Sequence, residues 1–162
     1  MWWRISRREF AAGKVEGGGV KGEGNRRAFQ AVVAGGEVPG LLAYDGEAPV
    51  GWVAIGPREV YPRLAGSRIL APVDDRPVWS ITCFYVARSH RGRGVARALA
   101  AAAVRHARAQ GARIVEAYPV DSPKRSADPF VYTGPAGTFA GLGFREVARR
   151  SRTRPILRRA VR

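Results

Sequence analysis

A chain of 162 residues with 46% hydrophobic side chains can bury one sizeable core and has no room for a second catalytic domain, so residues 1–162 are read as one domain. Cys83 is the only cysteine, which excludes an internal disulfide and a cysteine-rich metal centre; no metal site is expected. No stretch approaches the roughly 18 apolar residues of a membrane span, and Met1-Trp2-Trp3-Arg4 leads into charge, so a soluble, cytoplasmic protein without membrane association is expected.

In chain order, Trp2 to Ile5 reads as the start of a strand and Arg7 to Ala12 as a short helix. Gly13 to Gly24 is glycine-rich and charged and reads as a loop, either a linker or a lid over a cleft. Asn25 is placed to cap a helix over Arg26 to Ala34 that Gly35-Gly36 ends. Leu41 to Tyr44 and Val50 to Ile55, joined by Asp45-Gly46-Glu47-Ala48-Pro49, predict an antiparallel hairpin. Pro57 to Asp75 is proline-interrupted loop with one helical turn near Tyr61 to Ala65. Val78 to Val86 is a buried strand rich in β-branched and aromatic residues.

Val95 to Gln110 is a helix dense in alanine and closed by Gly111, with Arg97, Arg105 and Arg108 on one side and Val95, Leu99 and Ala103 opposite, facing a sheet. Arg113 to Val120 follows as a strand that Pro119 places at an edge or where pairing stops. Ser122 to Thr133 reads as loop, Gly134 to Leu142 as a short helix, and Arg145 to Arg149 and Ile156 to Val161 as closing strands. The expected class is therefore α/β (α+β).

The net charge of +15 raises the question of nucleic acid. Only three of the 28 cationic residues are lysines, and the arginines are scattered through strands, helices and tail with no zinc spacing or RNA-binding signature. Nucleic acid is thus a partner the charge permits and does not favour; any anionic substrate gains equally from the field.

The chemistry concentrates where the strand ending at Val86 runs through Arg88-Ser89-His90-Arg91-Gly92-Arg93-Gly94 into the long helix. A helix start offers unpaired N–H groups and the positive dipole end, and glycines admit a phosphate without a Cβ in the way. A P-loop would need Gly-Lys-Ser/Thr, which is absent. A Rossmann turn would need a third glycine, where Arg97 stands.

Arg91-Gly92-Arg93-Gly94-Val95-Ala96 resembles the Arg/Gln-x-x-Gly-x-Gly/Ala motif of the GNAT superfamily, the acyl-CoA-dependent N-acetyltransferases. Thr138-Phe139-Ala140-Gly141-Leu142-Gly143-Phe144-Arg145-Glu146-Val147 resembles a later family segment, and the element order agrees over nearly the whole chain. Pro39 to Tyr44, Tyr61 to Leu64 and Pro72 to Ser80 look like a bacterial branch.

The resemblance implies a mixed central sheet flanked by helices, with two splayed parallel strands, here Val78 to Val86 and Arg113 to Val120, admitting the pantetheine arm of acetyl-CoA as co-substrate. It implies binding by backbone groups of Phe84, Tyr85 and Val86, by the amides of Arg91, Gly92, Arg93, Gly94, Val95 and Ala96 for pyrophosphate, and by Phe139 beside the cofactor. The implied reaction is transfer of an acetyl or other short acyl group to a primary amine of a small molecule, a protein or an aminoacyl group; the rival reading is a catalytically weak CoA-sensing or nucleic-acid-binding module. A homodimer is permitted.

Many members carry a tyrosine acid where this chain has Phe139, which leaves Tyr132 or Tyr118 as stand-ins. Glu116, a carboxylate within an apolar strand, is a candidate general base or a salt-bridge partner. Asp121 is a weaker base candidate. His90, just before the turn, is read as an exposed loop residue with the alternative of touching phosphate, His106 as a structural histidine, and Cys83, Trp52 and Trp79 as packing residues, the tryptophans with the alternative of lining an acceptor pocket.

Overall fold

The computed structural model describes residues 2–11, 23–122 and 132–161. Of the expected loop at Gly13 to Gly24, residues 13–22 lie outside them and Glu23 and Gly24 belong to a helix, and most of the expected loop at Ser122 to Thr133 lies outside them too. The elements are α1 (Arg7–Ala11), α2 (Glu23–Ala34), β1 (Gly40–Asp45), β2 (Ala48–Pro57), α3 (Pro62–Ala65), β3 (Trp79–Val86), α4 (Val95–Ala109), β4 (Ile114–Ala117), β5 (Arg145–Arg149) and β6 (Pro155–Ala160). One six-stranded sheet has the order β1-β2-β3-β4-β6-β5; β3 and β4 are parallel and every other pair is antiparallel.

Side chains alternate across the strands, so the sheet buries a different cluster on each face. On one face the apolar stripe of α4, Leu99, Ala100, Ala103, Val104 and Ala107, covers Val53, Ile55, Ile81 and Val115. On the other, Tyr61, Leu64, Leu70, Tyr118 and Ile156 pack under α3 and its loops. Neighbours along β6 show the division: Ile156 belongs to the second cluster and Leu157 packs on the first.

Three expectations are corrected. Trp2 to Arg4 is a 3-10 turn and not a strand; it packs Trp3 on the second cluster and pairs Arg4 with Glu37 at 2.8 Å. Helix α2 begins at Glu23, placing Asn25 inside the helix. The segment Gly134 to Leu142 makes only one 3-10 turn, Ala136–Phe139, because Pro135 withholds an N–H and Gly137 and Gly141 weaken any longer helix.

Buried charge ties the second face together. Glu116, with no exposed surface, receives Arg58 Nη1 on Oε2 at 2.7 Å and Arg158 Nε on Oε1 at 2.6 Å. The Tyr118 hydroxyl donates to Oε2 at 2.6 Å and lies 2.8 Å from Ser80 Oγ, while Arg158 closes a two-pronged pair on Asp74 at 2.6 and 2.9 Å. The Arg158 hydrogen bonds hold the Asp74 carboxyl well below the usual carboxylate range. A depressed folded-state pKa stabilises the fold above the unfolded pKa, about 4, and that contribution is lost as pH falls further. In urea titrations the stability gap between the wild type and Asp74→Asn should therefore be constant near neutrality and shrink below about pH 4; a gap that persists in acid would contradict the assignment.

Candidate active site

Strands β3 and β4 pair only over Trp79↔Val115, Ser80↔Glu116 and Ile81↔Ala117, after which they part. At that point the register of β3 against β2 passes over Thr82, between Ile55↔Ile81 and Ala54↔Cys83, which is a bulge. The outer half of β3 therefore has β2 on one side and an opening on the other. A short stretch beyond the described gap enters the opening: Tyr132 O accepts from Phe84 N–H at 2.6 Å, and the Pro135 region bridges to Val120.

The direction of the β3 backbone groups follows from alternation. Ala87 N–H donates to Val50 O on β2 at 2.8 Å, so the groups of Phe84 and Val86 face the opening and those of Tyr85 face β2. Tyr85 accordingly offers its ring, 59% exposed, to the cleft and not its backbone. Val86 O accepts from Arg91 Nε at 3.1 Å, which anchors the turn to the strand.

The turn follows from its glycines. Gly92 has φ 74° and Gly94 φ 80°, a left-handed region that L side chains rarely adopt, and Gly94 is the residue immediately before α4. A Cβ built on either would meet no atom within 4 Å, so both open onto free space above the helix start. The resulting cleft, about 660 Å³, has walls from β3 (Phe84, Tyr85, Val86), from the turn and helix start (Arg91, Gly92, Gly94 to Arg97) and from the Tyr132 to Thr138 stretch. It fits a pyrophosphate at the helix N-terminus and an extended chain along the strand.

The sequence-derived candidates divide on this geometry. Phe84, Tyr85, Val86, Arg91, Gly92, Gly94, Val95, Ala96 and Tyr132 line the cleft. Arg93 lies in the turn without lining it, and Phe139 sits beneath it, 2% exposed, between the rings of Phe84 and Phe144. Glu116 and Tyr118 are not among the residues lining the cleft and face the second cluster in the network above. Asp121 pairs with Arg149 at 2.7 Å, and His106 stacks edge-on to Trp79.

Arg97 and the stretch Gly134, Pro135, Gly137 and Thr138 line the cleft without having been singled out as site residues in the sequence. Arg97, assigned to the solvent side of α4, donates to Ala140 O and lines the cleft because the 3-10 turn folds over the first helical turn. His90 also lines it and lies 3.1 Å from Asp45. Burial pushes the Tyr132 phenol above its ordinary pKa, Arg154 pulls it back down, and Cys83 adds to the rise. The Tyr118 phenol is raised well above its ordinary value, by burial first and then by the Glu116 charge.

The sequence pattern of the Acetyltransferase (GNAT) family matches residues 11–131. The chain belongs to the GNAT family of acetyltransferases. Among curated proteins no sequence relative matches. Solved structures share the GNAT fold. The NatC complex bound to Gag peptide and CoA is 14% identical with TM-score 0.56, covering 97% of this chain and 93% of that one. The protein yncA from Salmonella typhimurium, with its cofactor acetyl-CoA, is 16% identical with TM-score 0.54 over 96% and 83%. The acetyltransferase of GNAT family from Streptococcus pneumoniae is 12% identical with TM-score 0.54 over 89% and 80%. At these identities the likeness concerns the fold alone, and the six-stranded sheet with its parted parallel pair is that fold.

Proposed function

We propose that the protein moves an acetyl or other short acyl group from acyl-CoA to a primary amine by direct attack. The observation that carries the reading is the positive-φ pair Gly92 and Gly94, open above the start of α4 and continuous with the half of β3 that has parted from β4. The CoA bound to yncA and to the NatC complex supports the same cofactor here.

Acyl-CoA supplies the thioester. The amides of Gly92, Gly94, Val95 and Ala96 receive pyrophosphate, Arg91 and Arg97 add charge, and the Phe84 carbonyl and Val86 amide face the pantetheine arm. A strand N–H near the Thr82 bulge stabilises the negative charge that develops on the acyl oxygen. The neutral amine nitrogen bonds to the acyl carbon as the carbon–sulfur bond breaks. The thiolate takes a proton from Tyr132, and the surplus amine proton returns to the phenolate through solvent.

Two measurements test this. Thiol release from acetyl-CoA across an amine panel should rise above blank for at least one amine; tight CoA binding without release from any amine would instead favour the sensing module. Tyr132→Phe should lower kcat by roughly a hundredfold or more. Because the folded-state phenol is raised, the acid form survives past about pH 10, so the wild-type rate should fall only above that pH and the variant should lose the fall. An unchanged kcat in Tyr132→Phe would remove it from the reaction.

A further inference from the structure

A cavity of about 130 Å³ has the rings of Trp3, Phe29, Trp52, Tyr61 and Tyr132 in its wall. Phe29 meets Trp52 edge-on with centroids 5.7 Å apart, and Trp3 lies tilted to Tyr132 at 6.2 Å. Tyr61 and Trp3 belong to the cluster on the face of the sheet away from α4, whereas the anion-binding turn of the cleft opens at the start of α4. Tyr132 lines both spaces, and Thr82, at the bulge beside the parting of β3 from β4, lines the cavity. A group seated in the cavity therefore reaches the inner end of the cleft from the opposite face of the sheet.

The wall is aromatic but carries polar atoms. Tyr61 and Thr82 are each 1% exposed, and among the described residues neither hydroxyl makes a hydrogen bond of normal geometry; the Trp3 indole N–H is buried in the same state. Burial raises the Tyr61 phenol above its ordinary pKa against the opposing pull of Arg4 and Thr82, so the hydroxyl keeps its proton at neutral pH and can donate. It lies at the end of the cavity distant from the cleft, 3.3 Å from where a Cβ on Gly56 would stand, and Gly56 pairs with Ser80 near the start of β3. Arg4 presents its guanidinium to the Tyr61 ring, 5.5 Å from the centroid, and pairs with Glu37 at 2.8 Å. A cation at that end would face this charge, so the rings favour a neutral occupant there over an ammonium. In size the cavity suits one six-membered ring, since about 150 Å³ of apolar cavity accommodates benzene. A plain hydrocarbon ring would leave the buried hydroxyls unmatched, whereas a ring bearing a polar atom satisfies them.

We propose that the acceptor is an aromatic primary amine whose single ring carries a neutral hydrogen-bonding group, and that this ring seats in the aromatic cavity with its polar atom on the Tyr61 hydroxyl and Thr82 as a second partner. A phenol joined to the amine by a short alkyl chain is the simplest compound of that shape. With the polar end held at Tyr61, the alkyl chain runs past Tyr132 and brings the amine to the cleft. Tyr61 and Thr82 are then specificity residues: they read the ring and take no part in the transfer. This assignment rests on the acyl-transfer reading, because only that reading makes Tyr132 a meeting point of donor and acceptor.

The test is binding measured by titration calorimetry on the full chain with three probes: para-hydroxyphenethylamine, phenethylamine, which lacks the ring hydroxyl, and tetramethylammonium, a cation without a ring. The hydroxylated amine should bind about tenfold more tightly than phenethylamine, and tetramethylammonium should not displace it. Tyr61→Phe should bring the ratio of the two amines close to one, and Thr82→Val, which keeps the side-chain shape, should reduce it in part; together they keep the test readable if one variant folds poorly. Equal binding of the two amines, binding of neither, displacement by tetramethylammonium, or a ratio that survives both substitutions would overturn the proposal. Thiol release from acetyl-CoA with the same amines separates it from the reading beneath it. A tenfold preference in binding without release from either amine would sink acyl transfer and leave the ring site, whereas release at equal kcat/KM from both amines would sink the ring site and leave acyl transfer.

Discussion

Replacing Glu116 by glutamine should cost about 3–5 kcal/mol of unfolding free energy, because two arginines would remain buried with their shared counter-charge removed. Arg58 and Arg158 have side chains 10% and 6% exposed, and each donates to a different oxygen of this carboxylate. Glutamine keeps the volume and one acceptor oxygen, so the loss isolates charge from packing. Against a typical stability of about 5–15 kcal/mol, such a variant should melt roughly 10 °C or more below the wild type. Urea denaturation and thermal melts read it directly. A base at the reaction centre would behave in the opposite way, with stability little changed and kcat reduced. That pattern would return Glu116 to the catalytic role its sequence position suggests.

Gly94→Val should abolish CoA-induced stabilisation. Wild-type protein at a CoA concentration a hundredfold above Kd should gain about 2.7 kcal/mol, roughly 5–10 °C in Tm. Valine at φ 80° is strained, and its side chain would occupy the open space that a phosphate needs above the first turn of α4. Some loss of unliganded stability is expected as well, so the decisive quantity is the CoA-dependent shift within each variant. A full shift in Gly94→Val would mean that CoA pyrophosphate does not sit on this turn. Gly46 also has a positive φ, 58°, but in the hairpin turn away from the cleft; Gly46→Ala should leave the shift unchanged.

These two residues mark how differently parts of the molecule can be read. The turn at Arg91 to Ala96, the α4 stripe and the β1–β2 hairpin are legible because the determining interactions lie within a few residues: glycines that take positive φ, apolar side chains three or four apart, and a strand-turn-strand pattern. The family resemblance rests on the same local segments. Strand β4 is legible as a strand, and Glu116 as an anomaly in it, but its partners lie 58 and 42 residues away and Asp74 is 84 residues from Arg158. No periodicity connects such positions. They meet only when the sheet sets β3, β4 and β6 side by side.

The same reason explains Arg97 and Tyr132. Helical position alone points Arg97 to solvent, and only the later 3-10 turn packed across the helix start draws it into the cleft. Tyr132 gains its place in the cleft wall from the hydrogen bond its carbonyl accepts from Phe84 and from Trp3 near the chain start. Local backbone chemistry thus determines where an anion can bind in this chain, because a helix start and two glycines are sufficient for that. Which arginines meet Glu116 and Asp74 depends on charges brought together from distant segments, and the tertiary structure alone decides it.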